Sequence, residues 1–100
     1  MVEIIQKNEE QCWLKVSKTS FLNRMTGIDI KSKLEELLKE QENIVIIIDL
    51  FGITEIDADG YHQLMDVMDI ADASNCSLYF SNVAEQIDEL ICNLTETSES

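Results

Sequence analysis

Apolar residues along the chain follow two different periods, which predict its strands and helices. Val2 and Ile4 start an alternation that can extend to Gln6, and Cys12, Leu14 and Val16 alternate again. This pattern predicts two short half-buried strands joined as a hairpin. Trp13 faces away from its two apolar neighbours. It is either a residue at the rim of the core, which we favour, or an exposed contact. The run from Asn43 to Leu50 is rich in β-branched residues without alternation. It predicts a strand covered on both faces, either central in the sheet or under a helix layer.

Three other stretches repeat with the period of a helix. The first is expected to begin at Thr26, with Asp29 as the second member of a capping pair, and to end near Glu40. The second is expected to begin at the cap residue Asp57, and the third at Asn82. The predicted apolar faces are, in order, Ile30, Leu34, Leu37 and Leu38; Tyr61, Leu64, Met65, Met68 and Ala71; and Val83, Ile87, Leu90, Ile91 and Leu94.

A fourth strand, Ser77–Ser81, completes the order ββαβαβα. This order predicts a single α/β domain over residues 1–94, with a mixed four-stranded sheet and about three helices. Residues 95–100 are polar and acidic, and we expect them to form a flexible tail. The apolar residues Phe21, Leu22 and Met25 either extend the first helix or pack as a loop.

The charge of the chain excludes some classes of partner. The sequence has 7 Lys and Arg against 20 Asp and Glu, a net charge of -13, and its last basic residue is Lys39. Nucleic acid and anionic membranes both require clustered cations, so we expect neither nucleic-acid binding nor membrane insertion. The longest aliphatic run, Ile44–Ile48, is also far shorter than the roughly 20 residues of a membrane span.

Cysteine and histidine usage gives no support for a cofactor. Cys12, Cys76 and Cys92 are widely spaced, and the chain has one histidine and no CxxC motif. A zinc site would need more ligands at closer spacing, so we expect neither metal nor cofactor. The odd number of cysteines is typical of reduced thiols in a cytoplasmic protein.

A cluster of carboxylates around one strand-to-helix junction is the densest group of functional side chains. A phosphoryl-accepting receiver domain would also place an aspartate such as Asp49 at a strand end, but it needs a late lysine that this chain lacks. Neighbouring carboxylates could also serve as general acid and base, but nothing else in the sequence indicates a substrate pocket. The lone His62 is more typical of a surface residue than of a catalyst. The cluster consists of Asp49, Glu55, Asp57, Asp59, His62 and Asp66.

A calcium-binding loop is an alternative from another functional class. Residues 55–66 supply oxygens at positions 1, 3, 5 and 12 and a glycine at position 6, as an EF-hand requires. His62 stands at position 8, which is usually apolar, and the preceding segment is predicted to be a strand where an EF-hand has a helix. The residues concerned are Glu55, Asp57, Asp59, Gly60 and Asp66.

The segment from Ile44 to Ala73 resembles the signature of the STAS domain family, the anti-sigma factor antagonist domains. Its specific parts are Asp49-Leu50-x-Gly52 after a buried strand and Ile56-Asp57-x-x-Gly60 before an amphipathic helix. The resemblance implies a STAS-like fold and a non-enzymatic bacterial regulator. In that family, the Ser or Thr before the second glycine is phosphorylated by a partner kinase, which is an anti-sigma factor or a relative of one.

In this sequence Asp59 stands where the family has its phosphorylated hydroxyl. A carboxylate has no hydroxyl to receive phosphate. Asp59 therefore imitates phosphoserine permanently, or the switch has been lost or moved to another protein, or Asp59 merely stabilises the start of its helix. The resemblance implies a partner-binding surface around this residue. Alternative partners are those of the STAS subunit of lipid-trafficking ABC transporters and of chemotaxis-associated STAS proteins. The expected contact residues are Asp57, Ala58, Asp59, Gly60, Tyr61, His62 and Met65.

Overall fold

The structure, a computed structural model, describes residues 2–90. Six strands and three helices follow one another along this part of the chain. They are β1 (Val2–Lys7), β2 (Gln11–Val16), β3 (Phe21–Leu22), α1 (Arg24–Leu38), β4 (Val45–Asp49), β5 (Glu55–Ile56), α2 (Ala58–Ala73), β6 (Ser77–Ser81) and α3 (residues 85–90).

Four strands form one mixed sheet in the order β1-β2-β4-β6. β1 pairs antiparallel with β2, whereas β2, β4 and β6 are parallel. Each parallel pair is joined by a helix, and right-handed crossovers that advance in one direction place both helices on the same face. Helices α1 and α2 therefore cover one side of the sheet, which confirms the predicted single α/β domain with a mixed four-stranded sheet.

The core lies between this sheet face and the helices. Alternate residues of β2 and β4 are fully buried against the apolar faces of α1 and α2, as the two periods of the sequence predict. The buried side chains include Cys12, Leu14, Val16, Ile46 and Ile48 from the strands, and Ile30, Leu34, Leu37, Leu64, Val67 and Ala71 from the helices.

The two short strands were not predicted. Phe21–Leu22 pairs in parallel with Glu55–Ile56, apart from the main sheet. Phe21 and Leu22 thus neither extend the first helix nor form a loop, while Met25 belongs to α1 and is exposed. This small sheet holds the chain just before α2, where the acidic cluster begins.

Helix α1 begins earlier than predicted, because Asn23 rather than Thr26 caps it. The Asn23 side chain accepts a hydrogen bond from the backbone N–H of Thr26 at 3.0 Å. The Thr26 side chain is buried, and its hydroxyl lies 3.3 Å from the Phe21 carbonyl oxygen and 3.2 Å from Asn23 Oδ1. The threonine predicted as the cap is therefore in the first turn of the helix.

The prediction that Asn82 caps the third helix is also wrong. Asn82 has a φ of 55°, and its side-chain amide donates to Asp49 Oδ1 at 3.1 Å. The helix begins three residues later, where the Ala84 carbonyl accepts from the N–H groups of Ile87 and Asp88. The predicted face residues Ile91 and Leu94 and the predicted tail lie outside the described residues.

The outer strands are more exposed than the sequence pattern indicates. In β1 only Val2 is buried, while Ile4 and Ile5 are exposed next to a break in the register with β2. β4 is central, as predicted, but within residues 2–90 helices cover only one of its faces, because both crossovers run on the same side. Trp13 is partly buried on the opposite face, which none of the described helices covers, rather than at the rim of the core.

Candidate functional site

The candidate site lies at the start of α2, directly after the short strand β5. We call it the α2 entry surface and define it as Asp57, Ala58, Asp59, Gly60, Tyr61, His62 and Met65. Its neighbours are the loop after β4 and the loop after β6, because β4 and β6 are parallel and their carboxyl ends meet at one edge of the sheet. Loops at such an edge present side chains to partners on a rigid support.

Asp57 fixes the first turn of α2. It is the N-cap residue, as predicted, and its carboxylate accepts a hydrogen bond from the backbone N–H of Gly60 at 2.7 Å. Its own N–H donates to the Leu22 carbonyl at 3.3 Å, which connects the cap to β3. The aspartate of the second motif therefore has a structural role, because one of its oxygens is engaged within the helix.

Gly60 lets α2 approach β3 closely. A Cβ atom built on Gly60 would lie 2.8 Å from the carbonyl carbon and from Cδ2 of Leu22, and would overlap the Leu22 carbonyl oxygen. Ordinary contacts of a Cβ atom are 3.4–4 Å. The glycine of the Ile56-Asp57-x-x-Gly60 motif is therefore required by space and not by its backbone torsion angles.

The first motif, Asp49-Leu50-x-Gly52, builds the turn after β4. Asp49 is buried, and its Oδ1 accepts from the backbone N–H of Phe51 at 2.9 Å and from the Asn82 amide at 3.1 Å. Gly52 has a φ of +92°, a conformation that side chains rarely adopt. Asp49 thus connects the loop after β4 with the loop after β6. Sequence reasoning missed this partner of Asp49, because Asn82 was predicted to cap the third helix.

Asp59 is the exposed carboxylate of the surface. Ala58, Asp59 and His62 are exposed, Gly60 is buried, and Asp57 and Tyr61 are half-buried. Met65 keeps 39% of its surface accessible one turn further along α2. The ring of Tyr61 meets His62 edge to face, with 6.1 Å between the ring centres. The surface thus combines an aromatic and a thioether side chain with an exposed negative charge.

The carboxylates at the start of α2 have no cation opposite them among residues 2–90. The ion pairs of this part of the chain are Lys7–Glu40, Lys31–Asp66 and Lys33–Glu36. Asp66, another member of the predicted cluster, is therefore drawn towards α1 at a distance of 3.7 Å from Lys31. Asp57 and Asp59 therefore remain available to a charged partner.

An open cleft of about 420 Å³ adjoins the α2 entry surface. Its apolar walls come from β3, β5 and α3, and Gln86 closes one side by donating to the Thr54 carbonyl at 2.9 Å. The residues that line it are Phe21, Thr54, Glu55, Ile56, Asp57, Gln86, Ile87 and Leu90.

The geometry does not fit a calcium-binding loop. Residues 58–66 are helical, so Asp59 and Asp66 lie almost two turns apart, about 10 Å along the helix. Within residues 2–90 no group of three or more potential ligands could hold a metal ion. The same part of the chain contains no helix that is long and apolar enough to cross a membrane.

A comparison with protein families gives a match that covers nearly the whole chain. The model of the STAS domain matches residues 6–99. The chain belongs to the STAS domain family. STAS domains are typically non-enzymatic regulatory modules of the anti-sigma factor antagonist type. A search of curated proteins finds no relative of this chain.

The two glycine-containing motifs both shape loops of one STAS domain. The fold is that of a STAS module, and STAS modules act through contacts with other proteins. In this STAS domain, Asp49 and Gly52 shape one loop, Asp57 and Gly60 shape the next, and Asp59 is left exposed between them.

Proposed function

We propose that this STAS domain is a bacterial regulatory module that binds a partner protein through the α2 entry surface, with Asp59 in place of the phosphorylatable residue. The partner proposed is an anti-sigma factor of the serine-kinase ATPase type, and the process is cytoplasmic signal transduction that regulates transcription. The observation that carries the proposal is the exposure of Asp59 in the first turn of α2, where no described cation neutralises it.

The position of Asp59 supports a permanent imitation of phosphoserine. A phosphate at a helix N-terminus is stabilised by the helix dipole and by free N–H groups, and a carboxylate takes part of the same stabilisation. Asp59 carries one charge where phosphoserine carries about 1.5 to 2. The module would therefore stay in a state similar to the phosphorylated one, without needing a kinase or a phosphatase to set it.

The chemistry of the surface favours a basic partner with apolar side chains. Asp57 and Asp59 supply negative charge, while Tyr61, His62 and Met65 supply contact area. Aromatic and Met side chains are enriched in protein interfaces, and charge complementarity selects the partner and speeds association. The adjacent cleft, with the apolar walls described above, offers a pocket for one apolar anchor of that partner.

Phosphorylation can be tested by mass spectrometry. The unmodified protein and an Asp59→Ser variant are purified from the source cells and analysed as intact masses. We expect no phosphate on the unmodified protein and phosphate on residue 59 of the variant, since only the variant has a hydroxyl at that position. Phosphate on the unmodified protein would contradict the proposal.

Partner binding can be tested by affinity capture from source-cell lysate. An Asp59→Lys variant should lose the partner, because it reverses the exposed charge without removing the cap. Asp72→Lys is the matched control, because it makes the same charge change on an exposed residue near the other end of α2. Asp57→Asn retains a capping side chain and tests the charge of Asp57 separately.

The captured protein also distinguishes the alternative partners. Capture of an anti-sigma-type ATPase supports the proposal. Capture of an ABC transporter ATPase or a chemotaxis protein would show that the proposed partner is wrong and that the captured protein is the partner instead. If the Asp59→Lys and Asp72→Lys variants recover the partner equally well, the interface lies outside the α2 entry surface. Raising the salt concentration should weaken capture, since the proposed attraction is electrostatic.

A further inference from the structure

The sheet face opposite α1 and α2 carries two rows of uncharged residues. The pairing registers align Gln6, Trp13, Ile47 and Tyr79 in one row across β1, β2, β4 and β6, and Gln11, Val45 and Ser77 in the next. The side chains of Trp13, Ile47 and Val45 are half-buried, and Tyr79 has 58% of its surface accessible. We call these seven residues the open sheet face. Within residues 2–90 no helix covers it.

The absence of charge in these two rows contrasts with the rest of the chain. The net charge is -13, and more than a quarter of all residues are charged. The charged residues at outward positions of the sheet, Glu3, Lys15 and Asp49, fall together in the row beyond Trp13. Of these, Asp49 is buried and hydrogen-bonded, and Lys15 Nζ lies 5.9 Å from the centre of the Phe51 ring.

We propose that the open sheet face binds a second copy of this chain, so that two sheets pack face to face. Two molecules that each carry -13 repel one another wherever their carboxylates meet. The open sheet face allows them to make contact without bringing carboxylates together, and it offers a Trp and a Tyr, which are enriched in interface cores. This self-association is independent of the partner binding proposed for the α2 entry surface.

The size of the face makes the dimer weak and reversible. Four strands spaced about 4.8 Å apart, with two rows that take up about 4 residues of each strand at about 3.3 Å per residue, give a face of about 250 Å² in projection. A standard interface buries about 800 Å² of accessible surface per partner, so this dimer belongs to the small class. The charges outside the face still repel, and the dimer is therefore strengthened when salt screens them.

This dependence on salt separates the two interfaces. Raising the ionic strength from about 0.1 M to about 1 M shortens the Debye length from about 10 Å to about 3 Å. Self-association through the open sheet face should become tighter over this range. Binding of a basic partner to the α2 entry surface should become weaker.

The test combines sedimentation equilibrium with the fluorescence of Trp13, the single tryptophan of the chain. Across the micromolar to millimolar range at high salt, the apparent mass of the full chain should rise from 11.4 kDa towards twice that value. The Trp13 emission should shift to the blue in parallel as the indole leaves water. A mass that stays at the monomer value at every concentration would overturn the proposal.

Substitutions locate the contact. Tyr79→Glu, which places a charge on the open sheet face at the edge strand β6, should raise the dissociation constant at least about tenfold, a loss of about 1.4 kcal/mol. Ile47→Thr removes apolar surface from a central strand while keeping a β-branched side chain, so it weakens face packing but leaves strand edges unchanged. Met25→Glu is the matched control, because Met25 is equally apolar, 66% exposed and on α1.

The results distinguish a second copy packed on the open sheet face from pairing at the β6 edge and from coverage by the same chain. Weaker dimers with Tyr79→Glu and Ile47→Thr but not with Met25→Glu support the proposal, provided that all variants keep the circular dichroism of the parent. A dimer that is sensitive to Tyr79→Glu alone points to pairing at the β6 edge and overturns it. A blue-shifted emission that does not change with concentration means that the same chain covers the face, which also overturns it.

Discussion

Replacing Gly60 by alanine tests the closest approach in the candidate site. A methyl group at this position would overlap the carbonyl oxygen of Leu22 and lie 2.8 Å from the carbonyl carbon. The obstacle is backbone, so no side-chain rotation relieves it. The start of α2 would have to move away from β3 by an amount on the order of 1 Å.

The expected cost follows from three contributions. Overpacking of this kind costs about 1–3 kcal/mol. The movement also lengthens the hydrogen bond from Asp57 N–H to the Leu22 carbonyl, which already measures 3.3 Å and contributes about 1 kcal/mol. Alanine recovers at most about 1 kcal/mol through its higher helix propensity. Gly60→Ala should therefore lower the free energy of unfolding by about 2 kcal/mol, or Tm by roughly 8–16 °C for a domain of this size.

Thermal and urea unfolding followed by circular dichroism measure this loss. Asp59→Ala is the control, because it adds an alanine to the same helical turn at an exposed position, and its effect should stay within about 1 kcal/mol. A Gly60→Ala variant as stable as the parent would show that α2 does not contact β3 in the way described. The same result would remove the steric reason for the glycine of the motif.

Three further predictions concern residues whose roles the structure separates. Asp57→Ala should cost about 1 kcal/mol in urea unfolding and Asp57→Asn almost nothing, because both Asp and Asn can accept the Gly60 N–H; equal losses would contradict the capping role. Asp49→Ala and Asn82→Ala, alone and combined, should show a coupling energy on the order of 1 kcal/mol in a double-mutant cycle, and additive losses would contradict their hydrogen bond. Burial raises the pKa of the Cys12 thiol, so in a variant whose other cysteines are serine it should react with a thiol reagent at pH 8 only on unfolding; rapid reaction of the native protein would contradict its burial.

The features that sequence predicted correctly depend on local pattern. The alternation in β2 and the helical period of α2 each follow from burial of one face, and the Asp57 cap bonds a residue three positions away. The cap residue Asn23 was missed, although it stands three residues before Thr26, the spacing at which a capping side chain accepts a backbone N–H. Its signal was hidden because Thr26, which is itself a common capping residue, suggested a later start.

The features that sequence did not predict depend on distant contacts. Asn82 was expected to cap a helix, but it bonds to Asp49, which is 33 residues away in the chain. Strands β3 and β5 are two residues long and exist because they pair with each other, so neither has a period of its own. Within the candidate site, the sequence identified Asp49, Gly52, Asp57 and Gly60 as a motif. It could not identify the Asn82 amide that bonds to Asp49 or the Leu22 carbonyl that Gly60 contacts.

The parallel pairing of the sheet has a consequence for how the chain folds. β1 and β2 are neighbours in sequence, but Gln11 pairs with Val45, 34 residues later, and Val45 pairs with Ser77, 32 residues after that. Each of these pairings closes a long loop, and the loss of chain entropy precedes the gain from contacts. The β1–β2 hairpin can therefore form early. Strand β4 is fully paired only when α1, which precedes it in the chain, and α2, which follows it, have both folded. Refolding should be a slow, cooperative process in which the order of events is set by the central strand.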